Sequence, residues 1–337
     1  MTKLSHPSSP MALFSLTDGH PLLTRICSRL GVNAGVHEER EFEDGEHKIR
    51  PLEEVRGRDV YVVQSLYRGG SMSINDRLIR TLFFLATLRD AGAARLTAVV
   101  PYLCYARKDM RTKARDPVSQ RYVAGLFESV GVDRIVVMDV HNRAAYQNAF
   151  RIPAEHLTAA PLFVDALAPK MGDDGVCVVS PDVGGVKRAE RFQQLLQTRL
   201  QREVPMAFVE KFRSEGQVRG GTVVGDVKGR VAIIVDDLAS SGTTLVRAAA
   251  ACIKGGAKKA YAAATHGVFS QNAGGVLSDS ALEQVVVTDT IPPEEVDGRA
   301  VESWLHVVDC APLLAGAIEA LHGGGSTVPY SDVVEPG

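Results

Sequence analysis

Short apolar runs recur along the chain, and between them lie stretches whose apolar positions fall at helical spacing. The pattern predicts strands over 60–64, 96–100, 135–138, 176–179, 231–235, 261–264 and 285–287. These runs are apolar at every position and rich in β-branched residues, as in strands covered on both faces. Helices are predicted over 74–91, 118–130, 163–171, 186–200 and 245–253. In the first, Ile74, Leu78, Leu82, Leu85 and Leu88 share one face. Strands alternating with helices imply right-handed βαβ units around a mainly parallel sheet. The series restarts near 157–162, so two α/β domains are expected, over 12–158 and 159–322. The Pro- and Ser-rich residues 1–11 and the Gly-rich residues 323–337 are expected to be loose tails.

The 337 residues suffice for two cores. A hydrophobic fraction of 45% and a charged fraction of 23% are ordinary for a water-soluble globular chain. A net charge of -2 gives no basic field for nucleic acid. No run is long enough to span a membrane, and the first ten residues do not form a signal peptide. Five scattered cysteines without paired spacing point to buried thiols in a reducing, cytoplasmic compartment.

Chemistry gathers just past the strand ends. The run 231–235 stops at Asp236 and Asp237, followed by Ser240, Ser241, Gly242, Thr243 and Thr244 and then a helix. In open α/β sheets ligands sit beyond the carboxyl ends of strands. Backbone N–H groups, hydroxyls and a helix N-terminus suit a phosphate, while carboxylates suit sugar hydroxyls or Mg²⁺. A solvated turn with an Asp helix cap would give part of the same pattern. His141 follows the run 135–138, and Asp182 follows 176–179 between a proline and two glycines. The run 96–100 leads to Arg107, Lys108 and Asp109 and then Arg111, Lys113 and Arg115, either a solvated face or a cationic lip for a polyphosphate. If the segment from Phe208 is extended, Lys211 and Arg213 share a face. The polar stretch that follows, to Gly221, is expected to be a mobile loop able to close over a phosphoryl group. No Walker-type phosphate loop, dinucleotide-binding glycine fingerprint, zinc motif or hydrolase nucleophile elbow is present.

Taken together these segments resemble the ribose-phosphate pyrophosphokinase (PRPP synthetase) family, from about Leu13 to Leu321. The resemblance is carried by Phe42, Asp44 and Glu46; by Ser73, Asn75 and Asp76; and by Tyr105, Arg107, Asp109 and Asp116 to Ser119. Met138, Asp139 and His141, then Ser180, Pro181, Asp182, Gly184 and Gly185, continue it in order. The 231–245 segment, Thr265, His266 and Gly267, and Thr288, Asp289 and Thr290 complete it. The resemblance implies two phosphoribosyltransferase-type (type I) α/β domains with the active site between them. It implies Mg²⁺-dependent transfer of the β,γ-pyrophosphoryl group of ATP to the 1-hydroxyl of ribose 5-phosphate, giving PRPP and AMP. Phe42, Asp44 and Glu46 would contact adenine from a neighbouring subunit of a homo-oligomer built on dimers, a hexamer among the options. Arg107, Lys108 and Asp109 would hold ATP, and His141 and Asp182 would approach Mg²⁺. Lys211 and Arg213 would stabilise the transferring group. Asp236 and Asp237 would face the ribose, directly or through Mg²⁺, and Ser240, Ser241, Gly242, Thr243 and Thr244 would cradle the 5-phosphate.

Four features depart from the family pattern. Lys108 stands for a usual Gln, Ser240 for a frequent Asp, residues 67–72 form a longer loop, and the basic C-terminal ending is missing. A PRPP-consuming phosphoribosyltransferase would share the 231–244 loop but not Phe42–Glu46 or Arg107–Asp109. A non-catalytic regulatory paralogue would be expected to lose Lys211, Arg213, His141 or Asp182, and all four are present.

Overall fold

The structure, a computed structural model, describes residues 9–16, 21–214, 217–270, 272–293, 296 and 301–331, with backbone only for 211–220. The chain divides into two compact units, Met1–Thr158 with Ala311–Gly337, and Ala159–Cys310. In chain order the first contains β1 (Met11–Phe14), α1 (Pro21–Leu30), β2 (His37–Glu41), β3 (His47–Pro51), β4 (Asp59–Val63), α2 (Ile74–Asp90), β5 (Arg95–Val100), α3 (Ser119–Ser129), β6 (Arg134–Met138), α4 (Arg143–Ala149) and β7 (Ala154–Leu157). Its main sheet runs β1-β4-β5-β6-β7, and every pairing is parallel. Side chains of β4, β5 and β6 such as Val62, Val100 and Val137 pack with Leu82, Phe84 and Leu85 of α2 and Phe127 of α3 in one buried core. Full burial of such a residue stabilises by roughly 1.5–3 kcal/mol. Helix α2 starts where predicted because Ser73 and Asp76 form a reciprocal capping box.

The second unit contains α5 (Ala160–Met171), β8 (Val176–Ser180), α6 (Val186–Leu200), β9 (Met206–Ser214), β10 (Gln217–Val224), β11 (Val231–Ala239), α7 (Thr243–Lys254), β12 (Lys259–Gly267), α8 (Ala273–Ser278), β13 (Leu282–Thr288), α9 (Val301–Trp304) and β14 (Leu305–Val308). Its sheet runs β10-β9-β8-β11-β12-β13-β14, parallel except for the β9–β10 hairpin. After β8 the chain moves to one side of the sheet, and at β11 it returns on the other. The β8–β11 pair is therefore the topological switch point.

The fold is the α/β architecture expected, with local differences. Strand β11 does not stop at Val235 but continues to Ala239, because its pairing with β12 persists to Ala239↔Gly267. The stretch read as a mobile loop contains β10, whose Gly221 pairs with Lys211 and whose Val218 pairs with Arg213. Strands β2, β3, β7 and β14 have no apolar run behind them: β2 and β3 form an isolated two-stranded sheet of largely polar residues, and the other two have four residues each. Finally, α10 (Ala311–His322) belongs with the first unit, not the second, and packs on α1. The described part of the expected C-terminal tail follows it there, since Thr158 donates its N–H to the Tyr330 carbonyl and Thr327 donates to Glu155 at 2.7 Å. Met11, assigned to the N-terminal tail by its composition, opens β1.

Candidate functional site

In the second unit the switch point carries the carboxylate pair. Pairing of β11 with β8 ends at Ile234↔Val179, whereas pairing with β12 goes on, so Asp236 and Asp237 stand where the sheet has opened on the β8 side. Asp237 is buried and Asp236 half-buried. Asp236 Oδ1 accepts the N–H of Asp237 at 2.9 Å. Burial, and then the adjacent Asp237 charge, push the Asp236 carboxyl up to about 7, against the pull of Arg188. Arg188, in the first turn of α6, reaches Asp236 Oδ1 at 3.1 Å and Asp237 Oδ1 at 3.0 Å.

The loop after β11 turns on Gly242, whose φ of +75° belongs to the left-handed region; a Cβ there would stand 2.7 Å from Leu277. Ser241 and Thr243 hydroxyls meet at 2.9 Å, and the Ser270 N–H donates to the Ser240 carbonyl. The N-cap residue Gly242 offers no side chain, the Ser241 hydroxyl accepts the Thr243 N–H at a long 3.4 Å, and Ser241 and Thr244 are exposed at the start of α7. This is a helix N-terminus ringed by hydroxyls, an arrangement suited to an anion. On the β8 side, Asp182 accepts the Gly185 N–H at 3.1 Å and caps the turn leading into α6. The side chains of Lys211 and Arg213 lie outside the described residues; their backbones are two apart on β9.

In the first unit the β2–β3 connection exposes Phe42, Asp44 and Glu46 on one tight turn. Asp44 Oδ1 accepts the Glu46 N–H at 3.0 Å, and Arg40 stacks on the Phe42 ring at 5.1 Å. Past β5, Arg107 is exposed, while Lys108 and Asp109 are half-buried. Asn142 donates to Asp109 at 2.6 Å, which ties this segment to the residue after His141. Lys108 does not point freely to solvent: its Nζ donates to Asp116 Oδ2 at 2.5 Å. The same oxygen accepts from Thr112 N, Thr112 Oγ1 and Lys113 N, and these contacts hold the Asp116 carboxyl well below the usual carboxylate range. Tyr105, Arg115 and Asp139 all have positive φ, a strain typically kept at functional segments.

His141 lies in the first unit and Asp182 in the second. Among the described residues no group of three or more His, Cys, Asp or Glu is placed to hold a metal. All five cysteines are buried, and burial pushes the Cys104 thiol up to about 12 and Cys177 to about 11, as expected of inert thiols. No helix among the described residues is long and apolar enough to cross a membrane. The pattern of the sequence did not single out Arg188, Asn142 or Asp116 as site residues. Each makes its contact with a partner distant in the chain or across a turn, which no local pattern marks.

Residues 11–131 match a family described as the N-terminal domain of ribose phosphate pyrophosphokinase, and residues 180–330 match the phosphoribosyl synthetase-associated domain. A ribose-phosphate pyrophosphokinase of Caldanaerobacter subterraneus subsp. tengcongensis is 38% identical, over 95% of this chain and 97% of that protein. One of Corynebacterium glutamicum is also 38% identical, over 91% of each chain. The crystal structure of phosphoribosylpyrophosphate synthetase from Mycobacterium smegmatis superposes with a TM-score of 0.84 at 35% identity, covering 94% of this chain and 100% of that one.

Proposed function

This chain belongs to the ribose-phosphate pyrophosphokinase family, and we propose that it carries out that family's reaction with the residues described above. The 1-hydroxyl oxygen of ribose 5-phosphate attacks the β-phosphorus of ATP. The bond between that phosphorus and the α,β-bridging oxygen breaks, AMP leaves with the electron pair, and the hydroxyl proton is released. Catalysis of such a transfer rests on positioning and charge neutralisation more than on a strong base.

The observation that carries the reading is the Asp236–Asp237 pair at the β8–β11 switch point, directly before a hydroxyl-ringed helix N-terminus. The carboxylates take sugar hydroxyls, and the loop from Ser240 to Thr244 takes the 5-phosphate. Arg107 and the Lys108 loop hold the triphosphate, and Lys211 and Arg213 neutralise the pyrophosphoryl group as charge develops on it. The exposed Phe42, Asp44 and Glu46 meet the adenine of a neighbouring subunit, so the protein works as a homo-oligomer built on dimers. Its buried thiols fit the cytoplasm.

Asp182, Asp236 and Asp237 offer the oxygen ligands that Mg²⁺ takes, and His141 lies beside the Arg107–Asp109 segment through Asn142. Mg²⁺ is commonly bound through one or two protein carboxylates together with substrate phosphates and water, so these residues need not form a complete cage. When bound, it would gather the phosphate oxygens and withdraw charge from the reacting phosphorus.

The deciding experiment incubates the protein with ATP, ribose 5-phosphate and MgCl2 and separates the products. AMP and PRPP in equal amounts are expected, and a chelator should abolish both. ADP in place of AMP would mean transfer of the γ-phosphoryl group alone and would overturn the reading.

A further inference from the structure

Asp236 and Asp237 present a geometric problem that their sequence neighbours do not solve. Successive side chains of a strand leave opposite faces, so two adjacent carboxylates do not converge unaided. Two adjacent carboxylates also repel, the more so where one of them is only 5% exposed. Both difficulties are met by Arg188. Its Nη1 donates to Asp236 Oδ1 at 3.1 Å and its Nη2 pairs with Asp237 Oδ1 at 3.0 Å. This is not the usual fork on a single carboxylate. One rigid plane spans two carboxylates and sets the distance and tilt between them.

The surroundings are shaped for this contact. β11 has lost its β8 neighbour after Ile234, which leaves room for α6 to reach the strand end. A Cβ at Gly185 would stand 2.8 Å from Ser180 Oγ, so the bare glycine lets the turn before α6 lie close against the end of β8. The arginine is carried on the first turn of a 15-residue helix, a stiffer support than the loop on the other side of the site.

We propose that Arg188 is a positioning residue for the sugar: it holds one oxygen of each carboxylate and so presents Asp236 and Asp237 as a paired acceptor for the vicinal hydroxyls of a pentose phosphate. Arg188 does not touch the transferring group. The inference rests on the ribose 5-phosphate reading of this loop. A lysine at 188 would keep the charge but not the two-pronged plane.

The test compares wild type, Arg188→Ala and Arg188→Lys by calorimetric titration with ribose 5-phosphate alone and by steady-state kinetics. For Arg188→Ala, the Kd and KM for ribose 5-phosphate should rise about tenfold or more, while the KM for ATP stays within about twofold and kcat falls less than KM rises. Arg188→Lys should recover only part of the loss. Guanidinium ion at non-denaturing concentration should lower the ribose 5-phosphate KM of Arg188→Ala but not of wild type. A role confined to folding would shift both substrates alike and would not respond to guanidinium. Unchanged ribose 5-phosphate affinity in Arg188→Ala, or an equal shift for ATP, overturns the proposal. If Arg188→Ala does not fold, wild-type ribose 5-phosphate affinity in Arg188→Lys overturns it instead. If wild type yields no PRPP, the activity assignment falls by itself, and the calorimetric comparison still decides the role of Arg188.

Discussion

His322 Nδ1 and Asp59 Oδ2 lie 2.7 Å apart, although 263 positions of sequence separate them. Asp59 opens β4, is 1% exposed, and also accepts from Tyr61 Oη at 2.9 Å and Arg95 Nε at 3.0 Å. Arg95 is its register partner on β5. The end of α10 is thereby fastened to the sheet of the first unit, which explains why the last described segment of the chain belongs there.

Asp59→Asn should destabilise the protein by about 2–4 kcal/mol at neutral pH, because Arg95 and His322 lose a buried partner. Burial opposes ionisation of Asp59, but the hydrogen bonds from Arg95, His322 and Tyr61 outweigh it and lower its pKa. The folded value therefore lies below the unfolded one of about 3.9, so the stabilisation is present above about pH 4 and is lost as the pH falls through the folded value. Urea unfolding at pH 7 and in acid checks this. Equal stability of the variant and wild type at pH 7 would refute it.

The carboxylate pair predicts the opposite trend. Asp236 is raised to about 7, so its protonated form favours the fold. That contribution is complete below the unfolded value near 3.9 and is lost as the pH rises through about 7. Ligand-free protein should lose stability as the pH rises from 5 to 8. Asp236→Asn should flatten that slope. Melting curves across this range without substrate test it, and a slope unaltered in the variant would count against it.

Gly242→Ala puts a Cβ 2.7 Å from Leu277 at a φ of +75°. The strain should cost about 1–3 kcal/mol of stability. The KM for ribose 5-phosphate should rise while that for ATP holds, because the turn sets up the start of α7. Kinetics with each substrate varied in turn would separate the two effects.

Lys108 is held by Asp116, so it shapes a loop as well as adding charge. Lys108→Gln should raise the KM for ATP by about threefold to tenfold and weaken its salt dependence. Asp116→Asn should raise the same KM, and the double variant should be less than additive because the two residues act together. Additive effects on the ATP KM would mean that Lys108 and Asp116 act separately.

Much of this molecule is legible in one dimension. The seven predicted strands are all present because β-branched apolar runs have few places to go other than a covered sheet. Helix α6 covers the predicted 186–200, and α2 stops one residue short of its prediction. Strands β2 and β3 escaped because their polar residues, such as Glu38 and Arg50, satisfy one another across a two-stranded ribbon with little apolar burial. The length of β11 escaped because Asp236 and Asp237 ended its hydrophobic pattern, while its hydrogen bonds to β12 continued.

The same division holds for the site. Its chemical inventory could be read from residue order, because carboxylates, hydroxyls and glycines fall directly after apolar runs that have to be strands. Local pattern is enough for that, since a strand end and the loop after it are neighbours in sequence. The pairing of Arg188 with Asp236 and Asp237, of Lys108 with Asp116, and of His322 with Asp59 was decided only by tertiary structure. Such contacts depend on sheet order, on where pairing stops and on which helix end approaches, and none of these is a property of any one segment.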